Sequence, residues 1–170
     1  TVKEIYYYKK YFKVGGVGYE TEGAFTSNGH VVNPNVLEIL LKMGLFCNNA
    51  SLDQDKKALG DPTEVALIVA AKKAKIKTNL TRIHEIPFTS LRKMMSTVVK
   101  DDKNYFVFTK GAPEVVLKHC NISENDKKEI ILINEKMSQK SLRNLGFAYK
   151  ELSKSEYLKI KDRQEILEEN

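Results

Sequence analysis

The sequence holds two cysteines, and Cys47 and Cys120 stand far apart with no CxxC spacing. Neither a zinc site nor a disulfide framework follows from them, and reduced, intracellular thiols are the expected state. No run approaches the eighteen or so consecutive apolar residues of a membrane span. The longest, VALIVAA at 65–71, has the length of a core helix. The start, Thr1-Val2-Lys3-Glu4, has no initiator Met and no signal-peptide pattern, as expected of a domain excised from something longer. The signatures of common enzymes are missing too: no GxxxxGK(S/T) phosphate loop, no HExxH, no GxSxG and no kinase catalytic loop. His30, His84 and His119 are isolated, and His119-Cys120 would supply two metal ligands at most. The glycines of VGGVGYETEG lack the GxGxxG spacing and sit between strand-like segments with no helix following, which argues against a dinucleotide loop.

What is present suits a folded domain. The 170 residues are 42% hydrophobic, enough for one proper core, with at most an appended subdomain. The net charge of +6 favours anionic partners such as nucleotide phosphates, nucleic acid or a membrane surface. The lysines are scattered, however, as on a solvated surface.

Residues 2–14, rich in Tyr, Ile, Val and Phe, read as one strand, and the glycines after them as a hairpin or loose turns. Asn33-Pro34 reads as a cap and first helical position, with apolar residues at 36, 37, 40, 41 and 45 at helical spacing. Cys47-Asn48-Asn49 ends that helix, and a polar loop, SLDQDKKALG, follows. Asp61-Pro62-Thr63-Glu64 opens a second helix, with lysines at its end where they suit the helix dipole. From Arg82 the texture becomes β-like: RIHEIPF, MMSTVVK and NYFVFTK predict three strands, the last two joined by a turn at 101–104. A short helix at 113–119, a second from a cap near Ser123 to about 139, a strand at LGFAYKEL and a helical tail over 155–169 complete the chain. The expected class is α/β of the α+β type, with a largely antiparallel twisted sheet flanked by helices in a single domain over 1–170.

Three segments could carry chemistry, and each has an ordinary reading. In GDPTEVAL (60–67), Glu64 at the third helical position is a helix-capping glutamate worth about 0.5–1 kcal/mol, or a ligand contact. In PFTSLRKMMS (87–96), Phe88 with Arg92-Lys93 and two methionines forms an aromatic and basic cradle for a nucleotide, or a strand end and polar turn. In KGAPE (110–114), a strand stops at a lysine and a glycine as a helix opens. That corner can hold an anion, or merely turn the chain.

Taken in order, GDPTEVAL, the F-x-x-x-R-K-x-M-S segment, KGAPE and LRNLGFAYK resemble the nucleotide-binding domain of cation-transporting P-type ATPases, in its calcium-pump-like branch. The resemblance covers essentially the whole chain: TVKEIYYY looks like the segment after the phosphorylation motif, and EILEEN like the segment leading back into the phosphorylation domain. It implies that ATP, with Mg²⁺ on its phosphates, is held with adenine in a pocket of this domain. Phe88 would stack on the ring, and Glu64 would accept from the adenine amino group or order its neighbours. Lys110 would lie in the pocket, with Gly111 allowing the backbone close to the base. Lys93 and Arg143 would be the phosphate-side cations, and Met95 and Leu145 the pocket wall. Reticulum-type calcium pumps place an arginine two residues after the phenylalanine; here that position is Ser90. Arg92 is not assumed to replace it, since neighbouring strand residues face opposite ways.

The family's phosphoryl acceptor is an aspartate in a DKTGT motif, which this chain does not contain. The fragment therefore carries no catalytic residue and is expected to bind ATP without turnover. Its implied partners are the phosphorylation and actuator domains of a longer chain, and its implied place is the cytoplasmic side of an integral membrane protein. The main rival is a basic nucleic-acid-binding module using Tyr6, Tyr7 and Tyr8. Consecutive strand residues alternate between faces and cannot form one platform, so no nucleic-acid partner is expected. A second rival is an interaction domain of the same fold that no longer binds nucleotide.

Overall fold

The computed structural model describes residues 1–53, 55 and 57–168. They form two compact units, 1–78 and 79–170. Every strand pair among the described residues is antiparallel, and helices accompany both larger sheets. The expected mixed class with antiparallel sheets is the observed one.

The first unit opens with a four-stranded sheet in sequential order: β1 (Glu4–Tyr7), β2 (Lys10–Val14), β3 (Phe25–Ser27) and β4 (His30–Val31). The single strand expected over 2–14 is in fact a hairpin. Tyr8 and Lys9 both take positive φ, 46° and 61°, the left-handed pair that matches the twist of adjacent strands. Neither residue is the Gly or Asn that normally announces such a turn, whereas Asn28-Gly29 between β3 and β4 is. The hairpin sorts the tyrosines. Tyr6 faces Tyr11 across the strands with ring centroids 5.0 Å apart, Tyr7 packs against the core, and Tyr8 sits exposed in the turn.

After a 3-10 turn at Pro34–Leu37, capped by the Asn33 side chain, come α1 (Glu38–Phe46), a small hairpin of β5 (Ser51–Leu52) and β6 (Ala58–Leu59), and α2 (Pro62–Lys73). The sheet and both helices share a core of Ile5, Phe12, Val14, Phe25, Leu37 and Leu41 with Ala70 and Ala71. Helix α2 buries Val65, Ala66, Ile68, Val69, Ala70 and Ala71, so most of its circumference is apolar and it runs through the unit's interior.

Lys73, buried at the end of α2, bears on Gly16 and Gly23 of loop 15–24. Its ammonium donates to the Gly15 carbonyl. A Cβ on Gly16, whose φ is +88°, would lie 2.4 Å from the Glu22 carbonyl oxygen and 2.6 Å from Lys73 Nζ. Burial first, and then the Lys3 charge, hold the Lys73 ammonium below the ordinary lysine range, with Glu20 opposing.

The second unit is built on a four-stranded sheet in the order β10-β9-β8-β7, from β7 (Thr81–Ile86), β8 (Met94–Lys100), β9 (Tyr105–Gly111) and β10 (Gly146–Leu152). The connection from β9 to β10 contains α3 (Pro113–Val116), a 3-10 turn at Leu117–His119, and α4 (Glu124–Ser138), which Ser123 caps. Two short helices, α5 (Lys154–Ile160) and α6 (Gln164–Glu168), follow β10. Residue 169, the end of the expected helical tail, and residue 170 of EILEEN lie outside the described residues. One sheet face carries Ile86, Val98, Val107 and Leu152 into a cluster with Leu167, flanked by Tyr105, Tyr157 and Ile160. Central strand β8 is buried from Met94 to Val99, as a strand covered on both faces must be. No helix among the described residues is long and apolar enough to cross a membrane.

Two stability measurements test the Lys73 arrangement. Gly16→Ala should cost about 2–3 kcal/mol, combining left-handed backbone with a clash, and Gly18→Ala, in open space at φ +55°, about 1 kcal/mol. Equal losses in urea denaturation would sink the packing argument. The lowered pKa of folded Lys73 means that the unfolded chain keeps this proton to higher pH. The group's contribution to stability therefore rises with pH from its folded pKa up to the ordinary lysine value. Lys73→Met should flatten that alkaline rise relative to the unsubstituted protein.

Candidate functional site

Seven of the eight residues singled out above gather at one end of the β10-β9-β8-β7 sheet. Met94, Gly111 and Gly146 stand in one cross-strand row, and Met95, Lys110 and Phe147 in the next. Side chains along such a row share a face, with Cβ atoms about 5 Å apart. Met95 and Lys110 are therefore immediate neighbours on a common face, both buried. The loop into β8 carries Phe88 and Lys93, both exposed, and the loop into β10 carries Arg143, exposed, and Leu145, half-buried. Glu64, the eighth residue, belongs to the first unit.

The corner at Lys110-Gly111 has a framework explanation. A Cβ on Gly111 would lie 2.5 Å from both the Lys93 carbonyl oxygen and Met94 Cβ. Only a glycine lets β9 run this close to the entry of β8. The same Lys93 carbonyl accepts from the Ala112 amide at 3.0 Å, locking the corner to the neighbouring strand. Helix α3 is a single turn with no side-chain cap, so its dipole contributes little. The cation that the corner offers is Lys110 itself.

Loop 87–93 is closed by its own bonds. The Lys93 amide donates to the Thr89 carbonyl at 2.8 Å, and the Arg92 amide to Thr89 Oγ1 at 3.2 Å. Lys93 takes φ 53°, a left-handed backbone unusual for a side chain of this size. Arg92 does not face outward with Lys93. Its guanidinium donates to the Pro87 carbonyl at 2.8 Å and pairs with Glu168 of α6. Phe88 is left 57% exposed, so much of its apolar surface is unpacked. The Arg143 loop is pinned by Asn144, whose amide donates to the Asn134 carbonyl, Asn134 Oδ1 and Ser138 Oγ at 2.8–2.9 Å.

Glu64 stands on the first turn of α2, where Asp61 provides the cap. Asp61 Oδ1 accepts from the Thr63 and Glu64 amides at 2.7 and 3.3 Å. The Glu64 carboxylate accepts from the Asn49 amide at 3.0 Å instead. Buried Asn48 joins this turn by donating to the Gly44 and Glu64 carbonyls. The carboxylate therefore ties the end of α1 to the start of α2.

Phe147, opposite Lys110 on the Met95 face, was not among the expected residues. Thr97, two residues beyond Met95 on that face, has a buried hydroxyl with no hydrogen-bond partner among the described residues. Strand alternation alone places Thr97 on this face, whereas Phe147 joins it only with the register known.

Comparison with known proteins agrees with the motif order. The family model for the P-type ATPase cytoplasmic domain N matches residues 36–170. A calcium-transporting ATPase of Bacillus subtilis is 32% identical across 92% of this chain and 20% of its own length. Calcium-transporting ATPase 1 of Bacillus cereus is 37% identical across 73% of this chain and 16% of its own. A probable cation-transporting P-type ATPase of Mycoplasma genitalium is 38% identical across 64% and 13%. The chain thus spans at most about a fifth of the length of these relatives.

The strand contact at the corner can be tested apart from any ligand. Gly111→Ala should destabilise the protein by about 2–3 kcal/mol through overpacking against backbone, read as a lower urea midpoint. An unchanged midpoint would mean that β8 and β9 are not so tightly apposed.

Proposed function

The chain belongs to the cytoplasmic N-domain family of the P-type ATPases, and from that premise we propose that it binds ATP at the sheet end carrying Phe88 and Lys110. The observation that carries this reading is an exposed Phe88 at the sheet end where buried Lys110 and the loop residues Lys93 and Arg143 also lie. An aromatic face suits a purine, with stacking worth roughly 1–3 kcal/mol. The cations suit phosphates, and Arg143 can grip two oxygens at once. Met95 and Leu145 form the apolar wall, and Gly111 admits a base close to the backbone. By the family resemblance Glu64 is proposed as an acceptor for the adenine amino group or as an organiser of its neighbours, and 1–170 as a single nucleotide-binding domain. Among the described residues no group of three or more His, Cys, Asp or Glu could hold a metal. Mg²⁺ would, by the family resemblance, come with the nucleotide, on its phosphate oxygens.

Ser90 leaves the site without the arginine of reticulum-type pumps, and Arg92, held by Glu168, does not replace it. Phosphoryl transfer needs an acceptor aligned with the γ-phosphate, and this chain has no DKTGT aspartate. In the longer protein the domain would close by a hinge motion on a separate phosphorylation domain and present the γ-phosphate there, with an actuator domain as its other partner. The whole is read as an ATP-driven cation translocase of a membrane, with this domain on the cytoplasmic side. Calcium is the proposed ion, since several relatives are named calcium-transporting.

Titration with ATP, ADP and GTP, without and with Mg²⁺, should give saturable, adenine-selective amide shifts around Glu64, Phe88 and Lys110. Phe88→Ala should weaken ATP binding about 5- to 150-fold. No saturable shift at millimolar ATP would leave the interaction-domain reading instead. Strongly salt-dependent oligonucleotide binding would favour the nucleic-acid module.

A further inference from the structure

Arg92 is the cation nearest in sequence to the proposed phosphate-side Lys93, yet its bonds run into the fold. One arm of its guanidinium reaches back to the Pro87 carbonyl at 2.8 Å, bridging the two ends of loop 87–93 around Phe88. The other arm meets Glu168 Oε1. That oxygen also accepts from the Ser96 hydroxyl, which lies 2.9 Å from Thr109 Oγ1 across the strand pair. Ser96, Thr109 and Glu168 are all buried. A buried carboxylate is tolerated when charge and hydrogen bonds compensate it together, and here Arg92 and Ser96 do so. The planar fork of an arginine can serve two acceptors in fixed directions, as a lysine cannot.

The loop's two internal bonds, from the Lys93 and Arg92 amides to Thr89, close it on itself but do not tie it to α6 or the sheet. Leu91 is 95% exposed and Phe88 57%, so apolar packing does not set the pose of the ring. Closing the loop's ends and anchoring them to α6 and the sheet does. We propose that Arg92 is a positioning residue for Phe88, not a phosphate ligand, with Glu168 as its anchor; this rests on the ATP-binding reading above. The pair presents the aromatic face in its binding pose before the nucleotide arrives, which removes part of the ordering cost of binding.

The two roles for Arg92 predict opposite signs for one substitution. If Arg92 were a phosphate cation restrained by Glu168, Glu168→Gln would release it and tighten ATP binding. As a positioning pair, Glu168→Gln should weaken ATP about three- to tenfold and leave inorganic tripolyphosphate binding unchanged. Arg92→Gln, on the partly exposed side of the pair, should do the same and add nothing further in a Phe88→Ala background. A readout without nucleotide accompanies these titrations. Backbone ¹⁵N relaxation should show residues 89–91 ordered in the unsubstituted chain and mobile on the ps–ns scale in Arg92→Gln, with the amides of β8 and β9 unchanged. Tighter or equal ATP binding by Glu168→Gln, weakened tripolyphosphate binding, or an equally ordered loop in Arg92→Gln would each overturn the assignment alone. Absence of ATP binding by the unsubstituted chain would overturn the parent reading and this one with it.

Discussion

The candidate site depends on how closely three strands approach at one sheet end. Met94, Gly111 and Gly146 stand side by side in register, and neither glycine can gain a Cβ without entering its neighbours. At Gly146 that atom would lie 2.9 Å from Pro113 Cα. With no side chains there, the KGAPE corner folds tightly against the entry of β8. Met95 and Lys110 then share the next row, Lys93 sits just before β8, and the loops bearing Phe88 and Arg143 leave from the same end. A bulkier residue at Gly111 would spread these strands before it touched any ligand. The glycine next to Lys110 is therefore required by the fold itself, because the space a side chain would take is filled by the entry of β8.

Much of this was legible because the punctuation is local. Asn33-Pro34, Asp61-Pro62 and Ser123 are side-chain caps acting within three residues, and each begins the helix that it announces. Strand β9 opens as an aromatic and β-branched run, β7 and β8 carry Ile, Thr and Val at several positions, and Pro87 and the turn at 101–104 bound them. What failed locally failed for a physical reason. The Tyr8-Lys9 turn uses left-handed backbone without glycine or asparagine, so the first hairpin reads as one long strand. The two-residue strands β4, β5 and β6 are set by their partners and have no periodicity of their own.

The site was legible in kind more than in arrangement. Motif order picks out Phe88, Lys93, Lys110 and Arg143, but only pairing register brings Met95 beside Lys110 and adds Phe147. The division of labour around Glu64 was also hidden. Spacing alone suits it as a cap, whereas Asp61 takes the amides of the first turn and the Glu64 carboxylate reaches Asn49 on another segment. Glu168 could not be tied to the Phe88 loop by any local rule, since 76 residues separate it from Arg92.

Net charge shows the same limit from the other side. A surplus of +6 invites an anionic partner, yet several cations are committed within the fold. Lys72 donates to the Leu52 carbonyl at 2.9 Å, Lys73 to that of Gly15, Lys150 to that of Ile166, and Arg92 pairs with Glu168. A lysine on a carbonyl keeps its formal charge but loses the freedom to follow a phosphate. The chemistry on offer to a ligand therefore follows from where each cation's donors point, and a formal charge sum overstates it. By that measure Arg92 is committed to Glu168, whereas Lys93, one residue later on left-handed backbone at the rim of the sheet, is exposed.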